Sequence, residues 1–135
     1  MGVGKISSPI DIAISGLRAE STRMRVIADN IANAQTSRTK TGQPYRRQHV
    51  VLSTGGAGVS GVQIESVTRD LATPFKQVFL PGHPDANKDN MVRMPNVDLP
   101  MEMMDMVVAS RAYQANAAIL KRYQSMVEAT LELLR

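Results

Sequence analysis

The chain has 135 residues, 43% of them hydrophobic but only 4% aromatic, with nine Met and no Trp. This bounds it to one domain, or a helical domain with a small insert, around an aliphatic core better suited to long helix contacts than to a rigid pocket. The net charge of +4 is mild, and the absence of Cys excludes zinc-thiolate sites, disulfides and thiol catalysis.

The charge excess lies in the middle. Residues 35–98 carry eight basic and five acidic groups, against four and three before them and four and four after. Neither terminal segment is a basic face, so nothing requires nucleic-acid binding. No apolar run is long enough for a membrane span. The opening MGVGKISSPIDIAI has no continuous apolar stretch and no small-residue cleavage site, so no Sec signal peptide is expected.

Ser8 is a candidate helix N-cap with Pro9 at the first helical position. From there Ile10, Ile14, Leu17, Ser21, Met24, Ala28 and Ile31 recur in steps of four and three. Such a stripe marks a helix that buries one narrow face against another helix. The helix is predicted to run to Ala34, with Asn33 taking a left-handed cap. TSRTKTGQP then reads as a loop, YRRQHVVL as a strand, STGGAGVSG as a turn and VQIESV as a strand with Val62 and Ile64 on one side. PFKQVF is a further strand that Pro74 restricts to an edge. PGHPDANKDN is loop, and MVRMPNVDLP is a connector leading through two prolines into a second helix. That helix is predicted from Leu99 to Leu134. Its seam is Leu99, Met103, Met106, Ser110, Tyr113, Ala117, Leu120, Gln124, Val127, Leu131 and Leu134.

The fold expected is mostly α: long N- and C-terminal helices in an antiparallel coiled-coil-like pair, with a small β/loop insert. The boundaries are 1–34, 35–98 and 99–135. The helices differ in length by about 17 Å, so one apolar stripe overhangs and asks for a neighbour. Polar seam members Ser21, Ser110 and Gln124 are candidates for fixing register.

Candidate chemical motifs are weak. Gly56 to Gly61 matches G-x-G-x-x-G, but a strand follows where a dinucleotide site needs a helix. Asp85, Asn87 and Asp89 open like a calcium loop, yet Asn90 and Asn96 stand where Gly and a bidentate Glu are required. His49 and His83 have no ligand spacing, and His83 sits in a Pro-Gly-His-Pro turn. Arg38, Lys40, Arg46 and Arg47 form the densest basic cluster, a candidate for phosphate or for salt bridges that set partner choice. No catalytic, cofactor or metal site is expected.

Several segments together resemble a known family. Ser15-Gly16-Leu17-Arg18-Ala19 and Asp29-Asn30-Ile31-Ala32-Asn33-Ala34 are similar to the N-terminal signature of bacterial flagellar rod and hook proteins. Met103-Met104-Asp105-Met106 and Ser110-Arg111-Ala112-Tyr113-Gln114-Ala115-Asn116 resemble the matching C-terminal signature. Pro44-Tyr45-Arg46-Arg47, Pro81-Gly82-His83-Pro84-Asp85 and Met94-Pro95-Asn96-Val97 look like the short proximal rod branch, the FlgC type, as does the long loop Thr36 to Gln43. Asn90-Met91-Val92 departs from the Gly-Tyr-Val expected there.

The resemblance implies a non-enzymatic subunit of the periplasmic rod, packed helix to helix into a hollow tube that transmits torque and forms part of the export channel. The implied partners are other rod subunits, the adaptor at the rod base, copies of itself and, in transit, the flagellar type III export apparatus. It implies no cofactor and no nucleic acid. Subunit packing is expected to fall on Ile10, Ile14, Leu17, Met24, Ile31, Leu99, Met103, Met106, Tyr113, Leu120, Val127, Leu131 and Leu134. From composition and periodicity alone, a soluble cytoplasmic coiled-coil adaptor or a basic nucleic-acid-binding protein remains the alternative.

Overall fold

A computed structural model describes residues 8–54 and 61–134. Helix α1 spans Pro9–Ala32 and helix α2 spans Leu99–Leu133. Between them lie strands β1 (Gln48–Thr54), β2 (Val62–Arg69), β3 (Lys76–Phe79) and β4 (Met91–Met94). Two long helices packed together around small β-hairpins are the expected fold class.

The start of α1 is specified locally. The Ser8 side chain accepts a hydrogen bond from the Ile10 amide at 3.1 Å, and the Asp11 carboxylate accepts one from the Ser8 amide at 3.1 Å. Two donors that the first turn leaves without partners are thereby satisfied. The end differs from expectation. Asn33 caps α1 at φ −101°, ψ 10°, not in the left-handed region. Its backbone and side-chain amides both donate to the Asp29 carbonyl, at 3.1 and 2.9 Å, closing the last turn without a conformational reversal. Helix α2 begins at the N-cap Asp98, whose carboxylate accepts from the Met101 amide at 3.2 Å.

β1 and β2 pair antiparallel from Gln48 opposite Arg69 to Thr54 opposite Val62, with an irregularity between Val51 and Leu52. Most of the glycine-rich turn predicted between them falls outside the described residues. β3 and β4 form a second antiparallel pair from Lys76 opposite Met94 to Phe79 opposite Met91. The connector expected before α2 therefore contains a strand: Val92 of β4 is fully buried and pairs with Val78 of β3, the strand expected within PFKQVF, while nothing local in MVRM announces the pairing.

Asn90, the position where the family resemblance led us to expect Gly, has φ 58°. Asn tolerates this region better than most side-chain-bearing residues. The departure thus keeps the turn between β3 and β4.

Gly16 of α1 faces Asn116 of α2, and Asn30 of α1 meets Glu102 of α2. Equal steps along both chains in opposite directions define the antiparallel register. The core buries Ala13, Ala19, Val26 and Ile27 of α1 with Ala109 of α2, and Val92 and Val97 beneath. The register sets the start of α1 opposite the region of Tyr123, so the last turns of α2, roughly 15 Å of helix, extend past α1 among the described residues.

Candidate assembly interface

Two features shape this molecule for assembly: a buried polar knot that fixes the insert on the helices, and apolar helix faces that the described residues leave uncovered.

The knot centres on Asn30 and Glu102, both fully buried. The Asn30 amide nitrogen donates to the Gln48 carbonyl at 2.8 Å and to Glu102 Oε2 at 3.0 Å. Its carbonyl oxygen accepts from the Gln48 amide at 2.9 Å and the Tyr45 hydroxyl at 3.0 Å. Arg47 Nε pairs with Glu102 Oε1, and its Nη2 reaches Asp105 at 3.3 Å. The Arg47 amide donates to Asn96 Oδ1 at 2.8 Å, and Asn96 donates to the carbonyls of Asp70 and Thr73. One network therefore binds α1, α2, β1 and the segment before α2. A buried carboxylate is costly unless paired and hydrogen-bonded, and Glu102 is both. Burial pushes the Tyr45 hydroxyl above its ordinary value, helped by the Asp29 and Glu102 carboxylates and opposed by Arg69. The Thr73 hydroxyl and neighbouring backbone amides hold the half-buried Asp70 carboxyl below its usual range.

The Ser15-Gly16 motif has a steric logic. Ser15 Oγ donates to the Ile12 carbonyl at 2.7 Å and accepts from the Val62 amide at 3.0 Å, tying the root of β2 to α1. A Cβ on Gly61 would come within 2.3 Å of that hydroxyl. A Cβ on Gly16 would come within 2.8 Å of Asn116 Nδ2, whose amide bonds the Ala112 carbonyl at 3.1 Å. Glycine lets the two helices approach here.

The predicted packing residues divide. Ile10, Ile14, Leu17, Met24, Ile31, Met106 and Leu120 are half-buried, whereas Leu99, Met103, Tyr113, Val127, Leu131 and Leu134 are exposed. Ile10 and Ile14 border an open apolar cleft of about 510 Å³ with Leu120, Tyr123 and Val127. Met101, Met104, Val107 and Val108 add to the exposed apolar surface of α2. Of the family-motif residues, Asn30 joins the knot, Ser15 and Gly16 set the contacts described, and Asn33 caps α1. Ala32 and Arg111 lie exposed.

Sequence reasoning missed Glu102 and Asn96 as partners in the knot. A carboxylate inside the Met-rich run MEMMDM was the available signal for Glu102.

The weaker motifs resolve into local structure. Asp85 accepts from Ser37 and pairs with Arg38 at 3.5 Å, while Asn87 Oδ1 accepts from the Asp89 and Met91 amides. His83 Nδ1 accepts from the Asp85 amide, and His49 shares a hydrogen bond with Thr68 across β1 and β2.

Comparison with known proteins is decisive. Residues 10–40 match the family model of flagella basal body rod proteins, and residues 88–133 match that of the flagellar basal body rod FlgEFG protein C-terminal region. The flagellar basal-body rod protein FlgC of Borreliella burgdorferi is 38% identical over 149 residues, covering 95% of this chain and 97% of that protein. FlgC of Escherichia coli O6:H1 is 44% identical over 126 residues, covering 91% and 93%. FlgC of Agrobacterium fabrum is 39% identical over 134 residues, covering 96% of each. The chain belongs to the FlgC family of flagellar basal-body rod proteins. It is a structural, non-enzymatic subunit of the flagellar rod. No described helix is long and apolar enough to cross a membrane.

Proposed function

We propose that this chain builds the proximal part of the rod, packing through its helices against copies of itself, other rod subunits and the adaptor at the rod base. In this reading the helices line a hollow tube that crosses the periplasm, transmits torque and forms part of the export channel. The subunit reaches that position through the flagellar type III apparatus.

One observation carries the proposal. Helix α2 presents Met101, Met103, Met104, Val107 and Val108 at 51–63% exposure and extends beyond α1. A contiguous apolar face of this kind is an interface without its partner.

The test combines composition and mutation. Mass spectrometry of purified basal bodies is expected to find the chain retained after removal of the outer filament. Leu17→Asp and Leu120→Asp are expected to block assembly, since a charge buried in a packed seam is costly. Val108→Asp separates assembly from folding: the residue is 55% exposed, so helicity is retained while incorporation falls. Normal motility in all three variants would sink the proposal.

A further inference from the structure

The charge of this chain is not spread evenly. Lys40, Arg46, Arg69 and Arg93 line a single cleft of about 520 Å³ between the loop before β1 and the segment leading to β3, and no carboxylate of the described residues lines it. Among the described residues, none of the four lies within ion-pair distance of an Asp or Glu, whereas Arg38, Arg47 and Lys76 all do. Four equals the whole charge excess of the sequence.

The cleft is also organised. The Arg46 guanidinium stacks on the Phe75 ring at 4.1 Å from its centroid, and Arg93 lies over the same ring at 4.9 Å. Arg46 Nη1 is held further by the carbonyls of Asp70 at 3.0 Å and Thr73 at 3.3 Å. The aromatic ring and the two carbonyls hold like charges together where mutual repulsion would part them. Leu71, 75% exposed, adds an aliphatic contact at the rim.

We infer that this cleft docks a carboxylate-rich segment of a neighbouring basal-body protein. The inference rests on the rod reading for the presence of such a neighbour, and on charge and shape for what it presents. A protein segment uses both halves of the site: acidic side chains meet the guanidinium and ammonium groups, and an apolar side chain covers Leu71 and Phe75. A phosphate or glycan chain would use the cations and leave the aliphatic rim bare. A second copy is a poorer match, because its Asp85, Asp98, Glu102 and Asp105 are already ion-paired among the described residues. Complementary charge of this kind selects the partner and its register more than it adds affinity.

The experiment uses the full chain in intact basal bodies. A benzophenone amino acid replaces Leu71, with the same label at Met104 of α2 as a separate control. After illumination, the Leu71 label is expected on an Asp- and Glu-rich peptide of a different basal-body protein. Lys40→Glu with Arg69→Glu, whose side chains are exposed and make no hydrogen bond among the described residues, is expected to lower incorporation by about tenfold, equivalent to about 1.4 kcal/mol, with helicity unchanged. Reversing the charges of the labelled peptide is expected to restore it. The inference is overturned by wild-type incorporation of the double variant. It is also overturned by a Leu71 adduct on a neutral peptide, a glycan or a second copy, or by no adduct while the Met104 label marks rod subunits. Absence of the chain from basal bodies would overturn the rod reading and the cleft together.

Discussion

Asn30 shows how much one side chain can organise. A carboxamide offers two donor hydrogens and two acceptor lone pairs, and all four are used, on Gln48 twice, Tyr45 and Glu102. No other residue of similar size offers that set. Aspartate would replace two donors with a second carboxylate facing Glu102. Asn30→Ala leaves the Gln48 amide and the Tyr45 hydroxyl without their acceptor in a buried site, where each unsatisfied group costs about 1–3 kcal/mol. We expect Asn30→Ala to lower unfolding free energy by roughly 2–4 kcal/mol, and Asn30→Asp to be destabilising as well. Urea denaturation checks both, and a loss below about 0.5 kcal/mol, the range of an ordinary surface change, would show that the knot does not hold the fold. The importance of Asn30 was legible only through its family motif. Its partners lie 15, 18 and 72 positions away, and nothing local in the sequence names them.

At the scale of elements, the helices and the first hairpin were legible because each carries its own signal. Ser8 and Pro9 start α1, Asp98 and Pro100 start α2, and turn residues flank β1 and β2. The face that each helix turns inward was read less directly. A 4-3 pattern of large apolar residues pointed to Ile10, Leu17, Met24 and Ile31 on α1, yet the buried positions are Ala13, Ala19, Val26, Ile27 and Asn30. Small residues allow the closer approach marked by Gly16 and Asn116, so the pair closes there and leaves larger side chains at the margins or in solvent. A hydrophobicity pattern weights Leu and Met above Ala and Gly, and therefore favours the outer stripe. This division argues for a specific behaviour of α2. Among the described residues, 124–133 lie past the start of α1 and meet it only at the cleft that Val127 borders with Ile10 and Ile14, so their hydrogen bonds rest mainly on local helix propensity, and a short helix with little tertiary packing is marginal. Hydrogen exchange on the monomer is expected to be fast over 124–133 and slow over 102–120. A chain ending at residue 123 is expected to unfold within about 0.5 kcal/mol of the full chain but to fail in assembly. Equal protection along all of α2 in the monomer would contradict this.

At the scale of the whole molecule, the insert has little core of its own. β1 and β2 form one two-stranded sheet and β3 and β4 another, and an isolated two-stranded hairpin is marginal in water. Its attachment to the helices therefore runs through the knot, the Ser15 contact and the buried Val92 and Val97. Tyr45 offers a way to measure that attachment from solution. Its hydroxyl donates to Asn30 at 3.0 Å, and only the neutral phenol can do so. Burial, then the Asp29 and Glu102 carboxylates, raise its pKa in the folded protein above the 10.0 of a free tyrosine. A raised folded pKa means that the stabilisation is fully present below pH 10 and is lost as pH climbs through the folded value, because the unfolded chain releases its proton first. Denaturation followed from pH 8 to pH 12 is expected to show stability falling above pH 10. Tyr45→Phe, which forfeits the hydrogen bond to Asn30, starts lower and declines less steeply there. Ultraviolet titration provides the independent check, with the Tyr45 phenol ionising above pH 10 in wild type and missing from the variant. Parallel stability curves for the two proteins across that range would show that the insert is held without Tyr45. The attachment would then rest on Arg47, Glu102 and Asn96, whose charges and amide do not depend on the phenol.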